Sequence, residues 1–313
     1  MKRKSDVVLS LSVAICSAAL AWSTARAQGD GETTGWAAEK QAKIELGKNF
    51  ATGWELYRHF LDEAGDRAMS PPETVPDWSG LWEREGRPQV YDTDRGPGFG
   101  TTAVLKGEYL EMFQEQVDNA EQGRIWDPHS GCGMARGYPG MVKNGRPHEF
   151  AVTPKQTWHL GQARNEVRRI YTDGRGHTPA DWAYETEHGD AIGFWDGDTL
   201  VTHTMYTNGG WIGRVMPYFS TQLEGVDVWR RVDHETIHAD IWIYDSEALE
   251  DPWFVRQVYT LMEQEEGSPL RLEYWWNCHS PNNIVVPTGD GGTTFLDFDF
   301  TDVDDQPTQG TAQ

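Results

Sequence analysis

The sequence predicts an all-β, mainly antiparallel protein, a β-barrel with helical additions on its N-terminal side. Eight short runs rich in β-branched and aromatic residues follow residue 149, which is the pattern of strands. Asp173-Gly174 and Asp196-Gly197 lie between such runs and can adopt the positive φ of tight hairpin turns. No long helical pattern interrupts the series, which disfavours a parallel sheet with crossover helices. The predicted strands are residues 150–160, 166–171, 191–195, 199–206, 226–232, 236–244, 254–262 and 270–277.

A closed barrel is expected because it removes the unpaired edges that an open antiparallel sheet exposes. A β-sandwich is the alternative that the strand pattern leaves open. The barrel domain is expected over residues 76–296, with an inserted helix near 103–122.

The N-terminal region predicts export. Three basic residues at positions 2–4 precede an apolar run at 7–22 and the triplet Ala25-Arg26-Ala27, which is the order of a cleavable signal peptide over residues 1–27. Cleavage is expected before Gln28, and no later stretch is apolar enough for a membrane span. The mature protein is therefore expected to be periplasmic or secreted, without membrane insertion.

Residues 28–75 are expected to form a helical arm. Apolar residues recur at steps of three or four, and Gly47 and Gly53 suggest a break in the helix. The stripe consists of Leu46, Phe50, Trp54, Leu56, Tyr57, Phe60 and Leu61. At the other end of the chain, residues 297–313 are acidic and polar, a composition typical of disorder.

Charge and cysteine content limit the partners. The formal net charge is −22, which repels nucleic-acid phosphates and anionic lipids, so a small molecule is the expected partner. Cys132 and Cys278 remain after signal cleavage, and an oxidising compartment favours a disulfide between them. A redox or metal-binding pair is the alternative. The sequence leaves the oligomeric state open.

Two predicted strands carry a mixed polar and aromatic face that is suited to a ligand pocket. In 236–244 and 270–277, aliphatic side chains alternate with polar and aromatic ones. The alternative is that the mixed face meets solvent or the helical arm. The candidate ligand-binding residues are Trp158, His238, Asp240, Trp242, Tyr244 and Trp275.

A second candidate site combines histidines with charged residues near the two Asp-Gly turns. A histidine beside a carboxylate can transfer protons, and an arginine can stabilise a developing anion. The alternative is that the aspartates only shape turns and that the other residues are solvated. The candidate catalytic residues are His177, His203, Asp173, Asp198 and Arg175.

The string His234-Glu235-Thr236-Ile237-His238 fits the zinc motif H-E-x-x-H. That motif binds zinc on a helix, where both histidines share one face. Here the flanking residues alternate as in a strand, which would place the two histidines about 13 Å apart. We therefore expect no metal site at this string, and a zinc hydrolase remains only an alternative.

Four segments resemble a widespread family of exported bacterial proteins, which implies export but no particular activity. They are DWSGLWER at 77–84, RRIYTDGRGH at 168–177, IGFWDGDTLV at 192–201 and EYWWNC at 273–278. The family's usual Cys-Pro-Gly segment is only partly matched by residues 132–141, and its usual carboxylate after DTLVV is replaced, with His203 nearby. The WSGLW start also resembles the entry of lipocalin-type barrels, which bears on the fold alone.

Together these features predict an exported protein that binds an apolar or aromatic small molecule in a Trp-rich barrel cavity. No nucleophile elbow, phosphate loop or dinucleotide fingerprint occurs in the sequence, so no cofactor is expected. If the protein is an enzyme, a cofactor-free lyase, isomerase or hydrolase fits best. The alternatives are a non-catalytic ligand-binding protein and a zinc-dependent hydrolase that uses His234, Glu235 and His238.

Overall fold

The computed structural model describes residues 21–68, 76–86, 99–124, 137–143, 146–213, 215–263, 272, 285–287 and 293–295, with the backbone alone at 21–34, 164, 285–287 and 293–295. The chain divides into two compact units, residues 1–46 and 47–313. Helix α1 (Ala21–Lys48) accounts for the described part of the first unit. The predicted cleavage point before Gln28 falls within α1 and stays a prediction.

Helix α2 (Gly53–Ala64) begins the second unit and has a well-formed N-terminal cap. The hydroxyl of Thr52 accepts the backbone N–H of Glu55 at 3.1 Å, and the carboxylate of Glu55 accepts the N–H of Ala51 at 2.8 Å. These bonds satisfy donors that the start of a helix leaves unpaired. The helix ends at Gly65, whose φ of 53° suits glycine. No helix in the described part of the chain is long and apolar enough to cross a membrane.

The helices lie where the apolar periodicity predicts them. The sequence predicts a helix with a break near Gly47 and Gly53, and the break lies between the end of α1 at Lys48 and the start of α2. Helix α3 (Gly107–Glu121) falls inside the predicted range 103–122 and buries Phe113 and Ala120. Shorter helical segments occur at Gly65–Ala68, Gly137–Gly140, Met141–Lys143 and Ala163–Asn165.

Among the described residues, nine strands close into one barrel, which confirms the predicted fold class. These strands are β1 (Leu81–Arg84), β2 (His148–Val152), β3 (Gln156–Gly161), β4 (Glu166–Tyr171), β5 (Asp190–Asp196), β6 (Thr199–Met205), β9 (Glu224–Arg231), β10 (Thr236–Tyr244) and β11 (Trp253–Leu261). Their order is β1-β11-β10-β9-β6-β5-β4-β3-β2, and β1 closes the ring by pairing with both β11 and β2.

Two small sheets accompany the barrel. Strand β7 (Gly210–Trp211) pairs with β8 (Tyr218–Phe219), and β12 (Val285–Pro287) pairs with β13 (Thr293–Phe295). The barrel itself is antiparallel except at β4 and β5, which are parallel. The crossover between them is the loop 172–189, in which no helix is assigned, so this one parallel pair forms without the helix that such connections usually contain.

The strands differ from the predictions at residues 150–160 and at β1. The predicted strand 150–160 is a hairpin, because Pro154 and Lys155 form a turn in which Thr153 N–H donates to Gln156 O at 2.9 Å. Strand β1 completes the ring but is too short for the alternation pattern to reveal. Apart from Leu272, which is not in a strand, the predicted strand 270–277 lies outside the described residues.

The inner face of the barrel is apolar around β10. Ile237, Ala239, Ile241 and Ile243 all belong to the buried core, with Trp229 and Tyr259. The residues between them point outward, and α2 packs against the outside of β6, β9 and β10. The same wall therefore has a core on its inner side and a helix-covered surface on its outer side.

A buried ion pair with three hydroxyl partners lies inside the barrel. Arg168 and Asp227 are fully buried, and a guanidinium nitrogen of Arg168 donates to Asp227 Oδ2 at 2.7 Å. Arg168 also donates to the hydroxyls of Thr204 at 2.7 Å and Thr202 at 3.3 Å. Tyr138 donates to Asp227 Oδ1 at 2.7 Å, and its ring lies 4.3 Å from the guanidinium carbon. Together these contacts tie β4, β6, β9 and the segment Gly137–Gly140.

Replacing Asp227 with Leu is expected to cost about 3–5 kcal/mol of unfolding free energy, because it leaves the Arg168 charge buried without its partner. The double variant Arg168→Met with Asp227→Leu should be more stable than Asp227→Leu alone. Urea unfolding measures both. Arg67→Ala removes an exposed pair with Asp196 and serves as the control, with no measurable change expected. An equal effect of Asp227→Leu and Arg67→Ala would contradict the prediction.

Candidate functional site

Two histidines that are 26 residues apart in the sequence meet on the outer wall of the barrel. Nε2 of His177 lies 2.7 Å from Nδ1 of His203, and Nε2 of His203 lies 3.0 Å from Glu224 Oε2. On the other side, Nδ1 of His177 lies 3.4 Å from Asp190 Oδ2. The four side chains form a continuous row, Asp190, His177, His203 and Glu224, which we call the histidine relay.

Strand register positions three members of the histidine relay on one face. His203 lies on β6 between Thr202 and Thr204, whose side chains point into the barrel, so the imidazole points outward. The cross-strand neighbours of His203 are Ile192 on β5 and Val226 on β9. Asp190 and Glu224 each precede one of these neighbours by two residues and therefore share the outward face.

Helix α2 covers the histidine relay. The backbone N–H of Trp54 donates to Glu224 Oε2 at 2.8 Å, and the Trp54 ring contacts both imidazoles edge-on, with centroids 5.8 Å from His177 and 5.5 Å from His203. A Cβ at Gly53 would lie 2.9 Å from Glu224 Cβ and 3.3 Å from His203 Nε2. Glycine is therefore required for the helix to approach this closely. His203 is fully buried, whereas the other three members are partly exposed.

The surroundings of the relay shift the pKa values of His203, Glu224 and Asp190. Burial lowers the pKa of His203, and the hydrogen bond with Glu224 partly offsets this effect. Burial would raise the pKa of Glu224, but His203, the Trp54 N–H and His177 together outweigh burial and lower this pKa below its usual range. Burial likewise opposes the effects of His177 and the Thr178 N–H on Asp190, whose pKa is lowered overall. Both carboxylates are therefore ionised near neutral pH.

The number of protons in the relay follows from its geometry. Three contacts link four ring nitrogens and two carboxylates, and each contact needs one proton to be a hydrogen bond. When both carboxylates are ionised, all three contacts are hydrogen bonds only if the two imidazoles hold three protons, which gives the pair one positive charge. A neutral pair holds two protons and leaves one contact without a proton. The contact between His177 and Asp190 is the longest of the three, so the relay can accept a proton there.

A surface groove of about 170 Å³ opens beside Asp190. Its walls come from the loop 172–189 and from the residues that follow β6. The residues that line the groove include Thr178, Trp182, Tyr184, Thr186, Asp190 and Tyr206. Tyr206 has a φ of 58°, which is uncommon for a bulky residue. Hydrogen bonds from Thr186 N–H to Tyr206 O and from Asn208 N–H to Thr186 O, both 3.0 Å, hold this conformation.

The structure brings His177 and His203 together but not the other three predicted catalytic residues. Asp173 forms a bidentate pair with Arg175, at 2.8 and 2.6 Å, and the Arg175 guanidinium stacks on Tyr171. Asp198 lies in the turn between β5 and β6. That turn is five residues from His203, about 17 Å along the strand. The carboxylates that contact the histidines are Asp190 and Glu224, which the sequence reasoning missed.

The predicted ligand-binding face of β10 lies outside the barrel. Trp242 packs against Phe60 of α2, and the Tyr244 hydroxyl donates to Gly47 O at 2.8 Å. Asp240 pairs with Arg256 on β11, and His238 shares this outward face. These residues serve packing rather than a barrel cavity, which is the alternative in which the mixed face meets the helical arm.

Trp158, another predicted ligand-binding residue, does not face the interior of the barrel either. Trp158 lies on the outer surface of β3, where its indole N–H donates to the Gln156 side chain at 3.1 Å and the Arg169 guanidinium stacks on its ring. The aromatic side chains that do fill the barrel include Trp78, Trp195 and Trp229. Trp275 and the predicted disulfide between Cys132 and Cys278 lie outside the described residues.

The H-E-x-x-H string lacks the helical geometry that zinc binding needs. Residues 233–235 form a turn, and His238 lies within β10, as the flanking alternation predicts. Within the residues that the structure describes, no group of three or more His, Cys, Asp or Glu side chains is arranged to hold a metal ion.

Comparison of the chain with protein-family models, with curated proteins and with solved structures gives no match. Function is therefore inferred from the geometry of the site.

Two histidines with lowered pKa values are expected to make the fold acid-sensitive: His159 on the inner face of β3 and His188 in the loop 172–189. Burial, aided by the positive charge of Arg168, lowers the pKa of His188 to about 4, and burial lowers the pKa of His159 well below its usual value. Between about pH 6.5 and 4 the unfolded chain binds a proton at residue 188 that the folded chain does not bind. The stabilisation present above pH 6.5 should thus be lost as the pH falls, by about 3 kcal/mol for His188.

The free energy of unfolding, measured by urea titration at several pH values, tests this expectation. His188→Gln should flatten the pH dependence in that window. His234→Gln, on an exposed turn, is the matched control and should keep the wild-type slope. An unchanged slope in His188→Gln would show that His188 does not contribute to the pH dependence of the unfolding free energy.

Proposed function

We propose that this chain is an exported, cofactor-free acid–base enzyme of the lyase, isomerase or hydrolase type that acts on a small molecule in the groove beside Asp190. The observation that carries the proposal is the continuous histidine relay, which lacks one proton when its two imidazoles are neutral. A base of this kind can take a proton from a substrate and return it later in the reaction.

Each member of the relay has a distinct role. Asp190 lines the groove and contacts the substrate, so it receives the substrate proton first. His177 Nδ1 then takes the proton from Asp190, at the 3.4 Å contact. The positive charge that results is shared with His203 and is stabilised by Glu224 at 3.0 Å. The substrate loses one proton and the imidazole pair gains it, so the step is balanced.

Burial keeps the relay selective for one proton. His203 has no exposed surface, so a second proton would place two positive charges on touching rings in a dry environment. The single-proton capacity also sets the pH dependence of the reaction. Below the pH at which the pair is already protonated, the enzyme has no base, so kcat/KM should fall with decreasing pH as a single-proton step.

The proposal is tested by substrate proton exchange in D₂O, monitored by NMR with a panel of monosaccharides, ring ketones and phenyl esters. With the wild-type protein, at least one compound should either exchange a carbon-bound proton for deuterium or be converted to a product. Removal of the base in His177→Gln or His203→Gln should lower the rate about 10²-fold or more. His238→Gln, on the same outer wall but outside the relay, is the control and should retain the rate. Equal rates in His203→Gln and the wild type would contradict the proposed function.

A direct count of protons gives a second test that needs no substrate. The ring ¹⁵N chemical shifts of His177 and His203 should show that the pair takes up one proton in total when the solution is acidified. Glu224→Gln should shift this uptake to lower pH, because it removes the negative charge that stabilises the protonated pair. Two separate uptakes of one full proton each would contradict the shared-proton arrangement.

A further inference from the structure

Two aromatic side chains stand exposed at the groove beside the histidine relay. Trp182 is 79% exposed and Tyr184 is 74% exposed, the highest values for large hydrophobic side chains among the described residues. Both line the groove. Large apolar groups that stay in water without a packing role commonly mark a binding surface.

The backbone that carries these rings is held in place before any ligand binds. Trp182 N–H and Ala183 N–H both donate to Pro179 O, at 2.8 and 3.0 Å, which closes a turn. Thr178 N–H donates to Asp190 Oδ2 at 2.6 Å and ties the start of this turn to the relay. The rings are thus presented by an ordered loop, so little backbone entropy is lost when a ligand stacks on them.

The charge around the groove excludes anionic ligands. Among the described residues that line the groove, Asp190 carries a negative charge and none is a lysine or an arginine. Arg175 interacts electrostatically with Asp190, but its guanidinium forms an ion pair with Asp173 and stacks on Tyr171. It is therefore not free to bind an anion in the groove. The net charge of the chain is −22, which repels anions further.

The size and polarity of the groove indicate one small ring with hydroxyl groups. A volume of about 170 Å³ corresponds to roughly six water molecules at about 30 Å³ each. Thr178, Thr186, Tyr206 and Asp190 line the groove together with the two aromatic residues, so its walls combine hydroxyl- and carboxylate-bearing residues with aromatic ones. Such a combination of stacking surface and polar groups orients a ring that has hydroxyl substituents.

We infer that the substrate class is an uncharged, hydroxyl-bearing ring that stacks on Trp182 and Tyr184 with a hydroxyl directed at Asp190. The inference rests on the proposed function for its catalytic meaning, but the binding can be measured without turnover. A sugar and a phenol both present this chemistry, so the experiment must distinguish them.

Ligand binding to the purified chain is measured by saturation-transfer NMR and by titration. The probes are methyl glucoside and phenol, and the controls are benzoate, an anionic ring, and glycerol, which has hydroxyls without a ring. Methyl glucoside or phenol should bind, and the probe that binds more tightly shows whether the preferred ring is a sugar or a phenol. Trp182→Ala should weaken binding about tenfold, and Tyr184→Ala should weaken it in the same direction. Trp158→Ala, which removes a tryptophan from another part of the barrel wall, should leave binding unchanged.

The outcomes separate this inference from the proposed function. Probe binding that persists in His203→Gln and is weakened about tenfold in Trp182→Ala supports the ring site, whether or not turnover is observed. Turnover that depends on His203 but not on Trp182 overturns the ring site and leaves the acid–base function intact. Failure of both neutral rings to bind, or benzoate binding as tightly as phenol, overturns the inference.

Discussion

The buried pair of Arg168 and Asp227 fixes the wall on which the histidine relay is built. Its hydroxyl partners, Thr202 and Thr204, flank His203 on β6. As long as both threonines point inward to the guanidinium, His203 must point outward. A slip of one residue between β6 and β9 would bring His203 into the barrel and expose the threonines. The inner ion pair therefore determines which face of the strand carries the base.

Most strands of this barrel could be predicted from the sequence, but what each face of a strand packs against could not. The alternation in β10 separates Ile241 from Trp242 correctly, and the apolar residue lies inside. Trp242 is nevertheless buried, because α2 covers the outer wall. Alternation is a local property, and it cannot distinguish a face that lines a cavity from a face that lies under a helix. The same limit applies to Arg168, a charged strand residue that points inward.

The site was only half predictable, for a related reason. His177 and His203 stand out in the sequence as histidines near turns, and the structure places them 2.7 Å apart. Asp173 precedes His177 by four residues and Asp198 precedes His203 by five, whereas Glu224 follows His203 by 21. A carboxylate beside its own turn is nevertheless engaged there. Asp190 and Glu224 reach the histidines through strand register, which depends on pairing between distant segments. By contrast, the strand around His238 follows from local alternation alone.

Two groups of histidines differ in the charges beside them. His159 lies on the inner face of β3 and His188 lies in the loop 172–189, and burial together with the positive charge of Arg168 favours the neutral form of each. His203, on the outer wall, is buried as well, yet Glu224 opposes the effect of burial on its pKa. A positive charge on His203 therefore has an anionic partner at 3.0 Å, whereas a positive charge on His159 or His188 would be repelled by Arg168. This difference is why the proposed acid–base chemistry is assigned to the helix-covered outer wall, where the relay reaches the groove through Asp190.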